Sequence, residues 1–173
     1  MTGCVTGQIK AASVTFVLGG ARSGKSAHAE ALITALPGPW RYIATAQAFD
    51  DEMRARIAEH RARRDERWHT LEAPLDLAAA LAAPEPALVD CLTLWVSNLM
   101  LANRKSDWPG LLAALDARTA PTVIVSNEVG LGIVPDNALA RAFRDEAGRL
   151  HQRVAARADR VVFMVAGLPM VVK

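Results

Sequence analysis

Short apolar runs alternate with longer amphipathic stretches along this chain, the pattern that a parallel sheet covered by helices imposes on its sequence. Residues 14–18, 41–44, 87–89, 122–125 and 160–165 read as strands. They are nearly continuous apolar blocks, as strands buried on both faces are. Gly167-Leu168-Pro169 reads as a turn into a short last strand, 170–172, antiparallel at an edge. Helices are expected between these blocks. One covers 25–36 and stops at Pro37-Gly38-Pro39, and one covers 50 to about 64 with Met53, Ile57 and His60 on one side. Others cover 93–102 and 109–118, and a long one capped by Asp136 reaches 158 with Leu139, Phe143, Leu150 and Val154 as its apolar stripe. The alanine- and proline-rich stretch 77–86 reads as a helix end and loop, not a linker. The expected fold is α/β: a mostly parallel sheet flanked by helices. It forms one domain, 14–173, after a loose, flexible extension of residues 1–13.

Composition narrows the class. Hydrophobic residues make up 51% and charged residues 22% of the chain, a globular balance in which alanine supplies much of the apolar share. No apolar run reaches the roughly 20 residues that span a bilayer, so no transmembrane segment is expected. The opening residues do not read as a signal peptide. Cys4 and Cys91 are too far apart in context to suggest a disulfide or zinc framework, and a reducing, cytoplasmic setting is expected. The net charge of +2 does not argue for nucleic acid. Six arginines, at 54, 56, 61, 63, 64 and 67, are nevertheless concentrated in one segment. Such a run is either a solvated helix face or a place where polyanions bind.

The strongest chemical signal is Gly19-Gly20-Ala21-Arg22-Ser23-Gly24-Lys25-Ser26, which fits G-x-x-x-x-G-K-S/T, the P-loop, between a strand and a helix, and makes the expected α/β fold that of a P-loop NTPase. Glycines let the backbone fold so that successive N–H groups face phosphate oxygens, and the helix N-terminus adds its positive dipole. Lys25 can reach the β- and γ-phosphates of ATP or GTP, and the Ser26 hydroxyl can ligate Mg²⁺. Asp90 ends an apolar run, expected beside the P-loop strand. It reads as a Mg²⁺-holding carboxylate or as an N-cap for the next helix. Glu128 follows the run at 122–125 and either polarises a water or hydroxyl or binds neighbouring backbone. A helical histidine such as His60 is ordinarily packed or surface-exposed. Among arginines, a neutral imidazole is also a competent nucleophile toward phosphorus.

Several further segments accompany the P-loop: Tyr42-Ile43-Ala44-Thr45-Ala46-Gln47, and Asp50-Asp51-Glu52-Met53 with Arg56-Ile57 and His60. Trp68, Thr70 and Glu72 follow, then Ser126-Asn127-Glu128-Val129-Gly130 and Gly132-Ile133-Val134-Pro135 with Arg141, Phe143-Arg144-Asp145 and Ala147-Gly148. Together, from about Thr15 to the C-terminus, they resemble the bifunctional adenosylcobinamide kinase and adenosylcobinamide-phosphate guanylyltransferase of cobalamin biosynthesis. The resemblance implies a RecA-like domain, a homotrimer and two reactions. The first phosphorylates adenosylcobinamide with a nucleoside triphosphate; the second transfers GMP from GTP to the resulting phosphate. It also implies that GMP is carried on His60 as a phosphoramidate. Guanine-nucleotide contacts carry over to Thr45, Ala46, Gln47, Arg61, Ala62, Arg63, Arg64, Glu72 and Asp90. A P-loop small-molecule kinase with a structural His60, or a nucleotide-binding regulatory subunit, is the competing reading.

Overall fold

The computed structural model describes residues 13–48, 51–62, 64–105 and 107–173, and the backbone alone at 52, 53, 56, 59 and 60. Seven strands form one sheet: β1 (Val14–Gly19), β2 (Trp40–Ala44), β3 (Trp68–Glu72), β4 (Ala87–Asp90), β5 (Thr122–Asn127), β6 (Arg160–Val165) and β7 (Leu168–Val171). Their order is β3-β2-β4-β5-β1-β6-β7. Every neighbouring pair is parallel except β6 and β7, so the antiparallel edge expected at the C-terminus is present.

Successive residues of a strand point to opposite faces, and each face here acquires its own core. Phe16, Ile43, Val89 and Ile124 pack with Leu92, Trp95, Leu111, Leu150 and Val154. These come from the helices α4 (Leu92–Leu101), α5 (Trp108–Asp116) and α6 (Ala138–Arg157), and the short α3 (Leu77–Ala80) adds Leu77. On the other face Val17, Leu88, Val123, Val125 and Val162 meet Ala29 and Ile33 of α1 (Lys25–Thr34). The remaining helix, α2 (Asp51–Ala62), joins β2 to β3. Arg118 is buried and binds across the base of the sheet, donating to Thr122 Oγ1, Leu81 O, Ala83 O and Glu85 O. Those bonds fix the connection that feeds β4.

Four local expectations change. β3 has no apolar run to announce it: it is an edge strand with only Trp68 partly covered. The cap of α6 is Asn137, not Asp136, because the Asn137 side chain accepts from Ala140 N at 2.8 Å. Leu139 is exposed, so the buried stripe of α6 runs through Ala147, Leu150, His151 and Val154 instead. Ser13, expected in the loose extension, is buried, and its carbonyl accepts from Thr122 N. Residues 1–12 of the expected extension lie outside the described residues.

Candidate active site

The carboxyl ends of the parallel strands carry the site, as in open α/β sheets generally. β1 ends at Gly19, from which residues 20–24 turn into α1. A Cβ at Gly19 would come within 2.6 Å of Ser23 Oγ and 2.7 Å of Met164 O, so a side chain there would wedge the loop off β6. Gly24 has φ 93°, a left-handed conformation that residues with a Cβ rarely adopt. Gly167 N donates to Ser23 O at 3.0 Å, tying the turn between β6 and β7 to the phosphate loop. Lys25 is buried, and its ammonium donates to Gly20 O at 2.6 Å. The cationic head thus lies folded over the loop between β1 and α1.

A cleft of about 540 Å³ opens above this loop. Ala21, Arg22, Ser23, Gly24, Lys25 and Ser26 form its floor; Asp90, Arg61, Arg64 and Glu72 come from the far side. Asp90 does not stand beside the P-loop strand, because β5 lies between β4 and β1. The separation is two strand spacings, about 10 Å, which leaves room for phosphates between the carboxylate and the loop. Nor is Asp90 a helix cap: Cys91 occupies the N-cap of α4, without a side-chain cap bond. Asp90 Oδ2 instead accepts from the Tyr42 hydroxyl at 2.7 Å. Register explains the reach, since Ala44 pairs with Asp90 and Tyr42 stands two residues earlier on the same face of β2. Burial, followed by the Asp90 charge and the bond to it, pushes the Tyr42 phenol well above its ordinary value. Tyr42 therefore remains a proton donor to Asp90 throughout the physiological range.

The arginine segment divides by role. Arg64 lies over the Tyr42 ring, 3.6 Å from its centroid, and its Nε and Nη1 are buried without a hydrogen-bond partner. A guanidinium stacked on one face with unpaired donors is able to pair with an anion. Arg61 Nη2 pairs with Glu72 Oε1 at 2.5 Å. Arg54 and Arg67 are paired with Asp51 and Asp65, and Arg67 also lies over Trp40, 4.6 Å from its ring centroid. The segment is thus neither a uniform solvated face nor a uniform anion site. Arg63, and the side chains of Arg56 and His60, lie outside the described residues. His60 stands on α2 directly before Arg61 and three residues after Ile57, and both of those residues line the cleft.

Thr45, Ala46 and Gln47 divide similarly. Thr45 is fully buried, and its hydroxyl bridges the backbone of Cys91, accepting from N and donating to O at 2.8 Å each. Its side chain therefore secures the strand end bearing Asp90, while Ala46 lines the cleft. Gln47 lies in an adjoining cleft of about 610 Å³ with Arg54 and Pro74, which shares Ala46, Ile57, Arg61 and Glu72 with the first. Ala62 is exposed at the end of α2 and lines neither cleft. Glu128 binds backbone: its N donates to Gly19 O at 2.9 Å and its carboxylate accepts from Gly130 N. Ser126 and His151 form a buried pair at 2.7 Å, and burial lowers the His151 pKa, with the Glu128 charge acting the other way. Cys91 is buried, and burial pushes its thiol pKa up. Tyr42, Asn127 and Leu94 also line the cleft. Sequence reading assigned none of them a role, although Tyr42 and Asn127 stand inside two of the resembling segments.

Ser26 and Asp90 supply the hard oxygen donors that Mg²⁺ takes, and both line the one cleft, so the donor set fits that ion. Among the described residues no cluster of three or more His, Cys, Asp or Glu forms a metal centre without a nucleotide. Mg²⁺ ordinarily shares its shell with substrate phosphates, which would supply the remaining ligands.

Comparison with known proteins places the chain. Two solved structures share its fold at 12% identity: the flagellar accessory protein FlaH from Methanocaldococcus jannaschii (TM-score 0.58, 95% of this chain and 80% of that one) and a prototypical ATPase from the type III secretion system of pathogenic bacteria (TM-score 0.59, 91% and 53%). Curated relatives are much nearer in sequence. The bifunctional adenosylcobalamin biosynthesis protein CobP of Pseudomonas aeruginosa is 53% identical, over 91% of this chain and 95% of that one. The corresponding CobU proteins of Salmonella typhimurium and Escherichia coli are 46% and 42% identical, each over 91% of this chain and 98% of its own. The model of cobinamide kinase / cobinamide phosphate guanyltransferase matches residues 15–172, and the chain belongs to that family.

Proposed function

We propose that this chain phosphorylates adenosylcobinamide with ATP or GTP and then transfers GMP from GTP to the product, through a guanylyl group carried on His60. The observation that supports it is the cleft joining a P-loop to Arg61, Arg64, Glu72 and Asp90, at the end of the helix bearing His60. In the kinase step the aminopropanol hydroxyl attacks the γ-phosphorus, the bond to the β-phosphate oxygen breaks, and the hydroxyl proton leaves to solvent. Backbone N–H groups of residues 20–25 and the Lys25 ammonium hold the β- and γ-phosphates. Lys25 must exchange Gly20 O for phosphate oxygen, a trade of one charge-assisted bond for a stronger one. Ser26 and Asp90 would hold Mg²⁺, which neutralises phosphate charge when bound.

In the transfer step an imidazole nitrogen of His60 attacks the α-phosphorus of GTP, and pyrophosphate leaves. A phosphate oxygen of adenosylcobinamide phosphate then attacks the same phosphorus. The P–N bond breaks, and adenosylcobinamide-GDP and free imidazole result. Splitting the displacement keeps two polyanions from having to meet in line at once. Arg64, with its open donors, offsets the charge that gathers there. In this reading the enzyme works in the cytoplasm as a homotrimer. Among the described residues no helix is long and apolar enough to cross a membrane.

The test is product analysis. Adenosylcobinamide with ATP and Mg²⁺ should gain one phosphate, and addition of GTP should give adenosylcobinamide-GDP and pyrophosphate. Phosphorylation without the second product would leave a kinase. Nucleotide binding with neither product would leave a regulatory subunit.

A further inference from the structure

The P-loop pattern specifies its glycines, lysine and serine and leaves the positions between them open. Arg22 fills one of those open positions. Ser23 N donates to Gly20 O at 3.3 Å, closing a four-residue turn whose third residue is Arg22. Its φ is 55°, in the left-handed region that such a turn ordinarily gives to glycine or asparagine. The backbone therefore gains nothing from an arginine here, and what the position gains must come from the side chain.

The turn is held from both ends. Gly20 O also accepts from the Lys25 ammonium, and Ser23 O accepts from Gly167 N at 3.0 Å. Above this fixed base the Arg22 side chain is exposed and lines the nucleotide cleft. Among the described residues its guanidinium makes no hydrogen bond or ion pair. The other described arginines of the cleft are engaged: Arg61 is paired with Glu72, and Arg64 is stacked on Tyr42. Both follow His60 in the chain, where the proposed transfer attacks the α-phosphorus. Arg22 stands instead on the loop that takes the β- and γ-phosphates, three residues before Lys25. The cations of the cleft thus fall into two groups, one for each phosphorus that reacts. A phosphoryl group in transfer spreads its charge over three equatorial oxygens. The Lys25 ammonium meets them as a point charge, whereas a guanidinium fork spans two of them.

We infer that Arg22 is a further catalytic residue, whose guanidinium pairs with oxygens of the γ-phosphoryl group as that group moves to the acceptor. The inference rests on the proposed kinase step. The acceptor oxygen bonds to the γ-phosphorus, the bond to the β-phosphate oxygen breaks, and the hydroxyl proton leaves to solvent. Arg22 exchanges no proton; it holds the charge on the oxygens between the two partners. Such a contact is stronger in the transition state than in the bound triphosphate, so it acts on rate more than on nucleotide affinity.

The experiment compares wild type with Arg22→Gly, Arg22→Asn and Arg22→Lys. Glycine and asparagine both accept the left-handed backbone, so the loop should be kept, and the melting temperature checks it. With adenosylcobinamide, ATP and Mg²⁺, Arg22→Gly and Arg22→Asn should lower kcat for phosphorylation on the order of 10²–10³-fold, with the Kd for ATP within about threefold of wild type. Arg22→Lys should recover part of the rate. A second measurement needs no acceptor: the affinity for ADP and Mg²⁺ with and without fluoroaluminate, a mimic of the phosphoryl group in transfer. Fluoroaluminate should tighten ADP binding to wild type, and Arg22→Gly and Arg22→Asn should lose most of that gain. A rise in the Kd for ATP as large as the fall in rate would overturn the assignment, because Arg22 would then hold the bound triphosphate and not the moving group. So would a kcat within about threefold of wild type, or a fluoroaluminate gain that is absent from wild type or equal in the variants. Wild type that does not phosphorylate adenosylcobinamide would overturn the proposed function, and the fluoroaluminate comparison would still decide the role of Arg22.

Discussion

Removing a single oxygen, by Tyr42→Phe, separates two jobs that one buried side chain performs. The hydroxyl donates to Asp90 Oδ2 at 2.7 Å, and the ring carries Arg64 at 3.6 Å. A hydrogen bond to a charged acceptor contributes about 1.5–3 kcal/mol. Asp90 lines an open cleft, so water can replace the phenol in part, and the lower end of that range applies: about 1.5 kcal/mol. The ring stays, and with it the stacking of Arg64, worth about 0.5–2 kcal/mol. Tyr42→Leu should lose both contributions and leave space beside Trp68, whose ring centroid is 6.1 Å from that of Tyr42. Its total should therefore be at least about 3 kcal/mol. Urea denaturation of the two variants would measure these losses, and for a chain of this size the first corresponds to a melting shift of about 3–6 °C. Nucleotide titration adds the functional half. Tyr42→Phe should weaken binding of GTP more in Mg²⁺ than in EDTA, because only the carboxylate is disturbed, whereas Tyr42→Leu should weaken both. A Phe variant as stable as wild type within 0.3 kcal/mol, roughly the limit of such comparisons, would show that the Tyr42–Asp90 bond contributes nothing.

Three other outcomes follow from the site. Lys25→Ala should lower the rate of phosphorylation on the order of 10²–10³-fold, and an unchanged rate would remove the P-loop from the kinase step. Asp90→Asn should raise the Mg²⁺ concentration for half-maximal turnover about tenfold or more, through loss of a charged ligand; an unaltered Mg²⁺ dependence would leave Asp90 solely as the acceptor for Tyr42. Burial lowers the pKa of both His151 and His28, so folding favours their neutral forms. Their contribution to stability is complete above the ordinary imidazole value of 6.5 and is lost as pH falls below it, down to the depressed native values. The slope should approach about 1.4 kcal/mol per pH unit for the buried His151 and be much smaller for the half-exposed His28, and His151→Gln should flatten it. A stability curve level from pH 7 to 5 would contradict this.

The legible parts of this protein are those encoded locally. A phosphate loop needs its glycines, lysine and serine in consecutive positions between one strand and one helix, so the segment from Gly19 to Ser26 declares itself. Buried parallel strands declare themselves as apolar blocks. β3 does not, because an edge strand reading Trp-His-Thr-Leu-Glu exposes most of its length and owes its place to pairing with β2. The position of Asp90 was misjudged because sequence order does not give strand order: β5 comes later in the chain and inserts between β4 and β1. Tyr42 was visible as a residue but not as a role, since its partnership with Asp90 depends on cross-strand register over 48 residues of sequence. Thr45 carried the opposite risk. Its hydroxyl looks available for a nucleotide in the sequence, and the fold spends it on the Cys91 backbone. The resemblance to a known family supplied Glu72, which no spacing rule would have singled out, and for His60 it added the role of covalent carrier to a nucleophile that the surrounding arginines had already suggested.

The covalent carrier is the central claim, and intact-protein mass tests it most directly. Wild type incubated with GTP and Mg²⁺ should gain the mass of one GMP, released by acid as a phosphoramidate is, and His60→Ala should gain nothing while still binding GTP. An adduct that persists in His60→Ala, or no adduct on folded, GTP-binding wild type, would contradict the account.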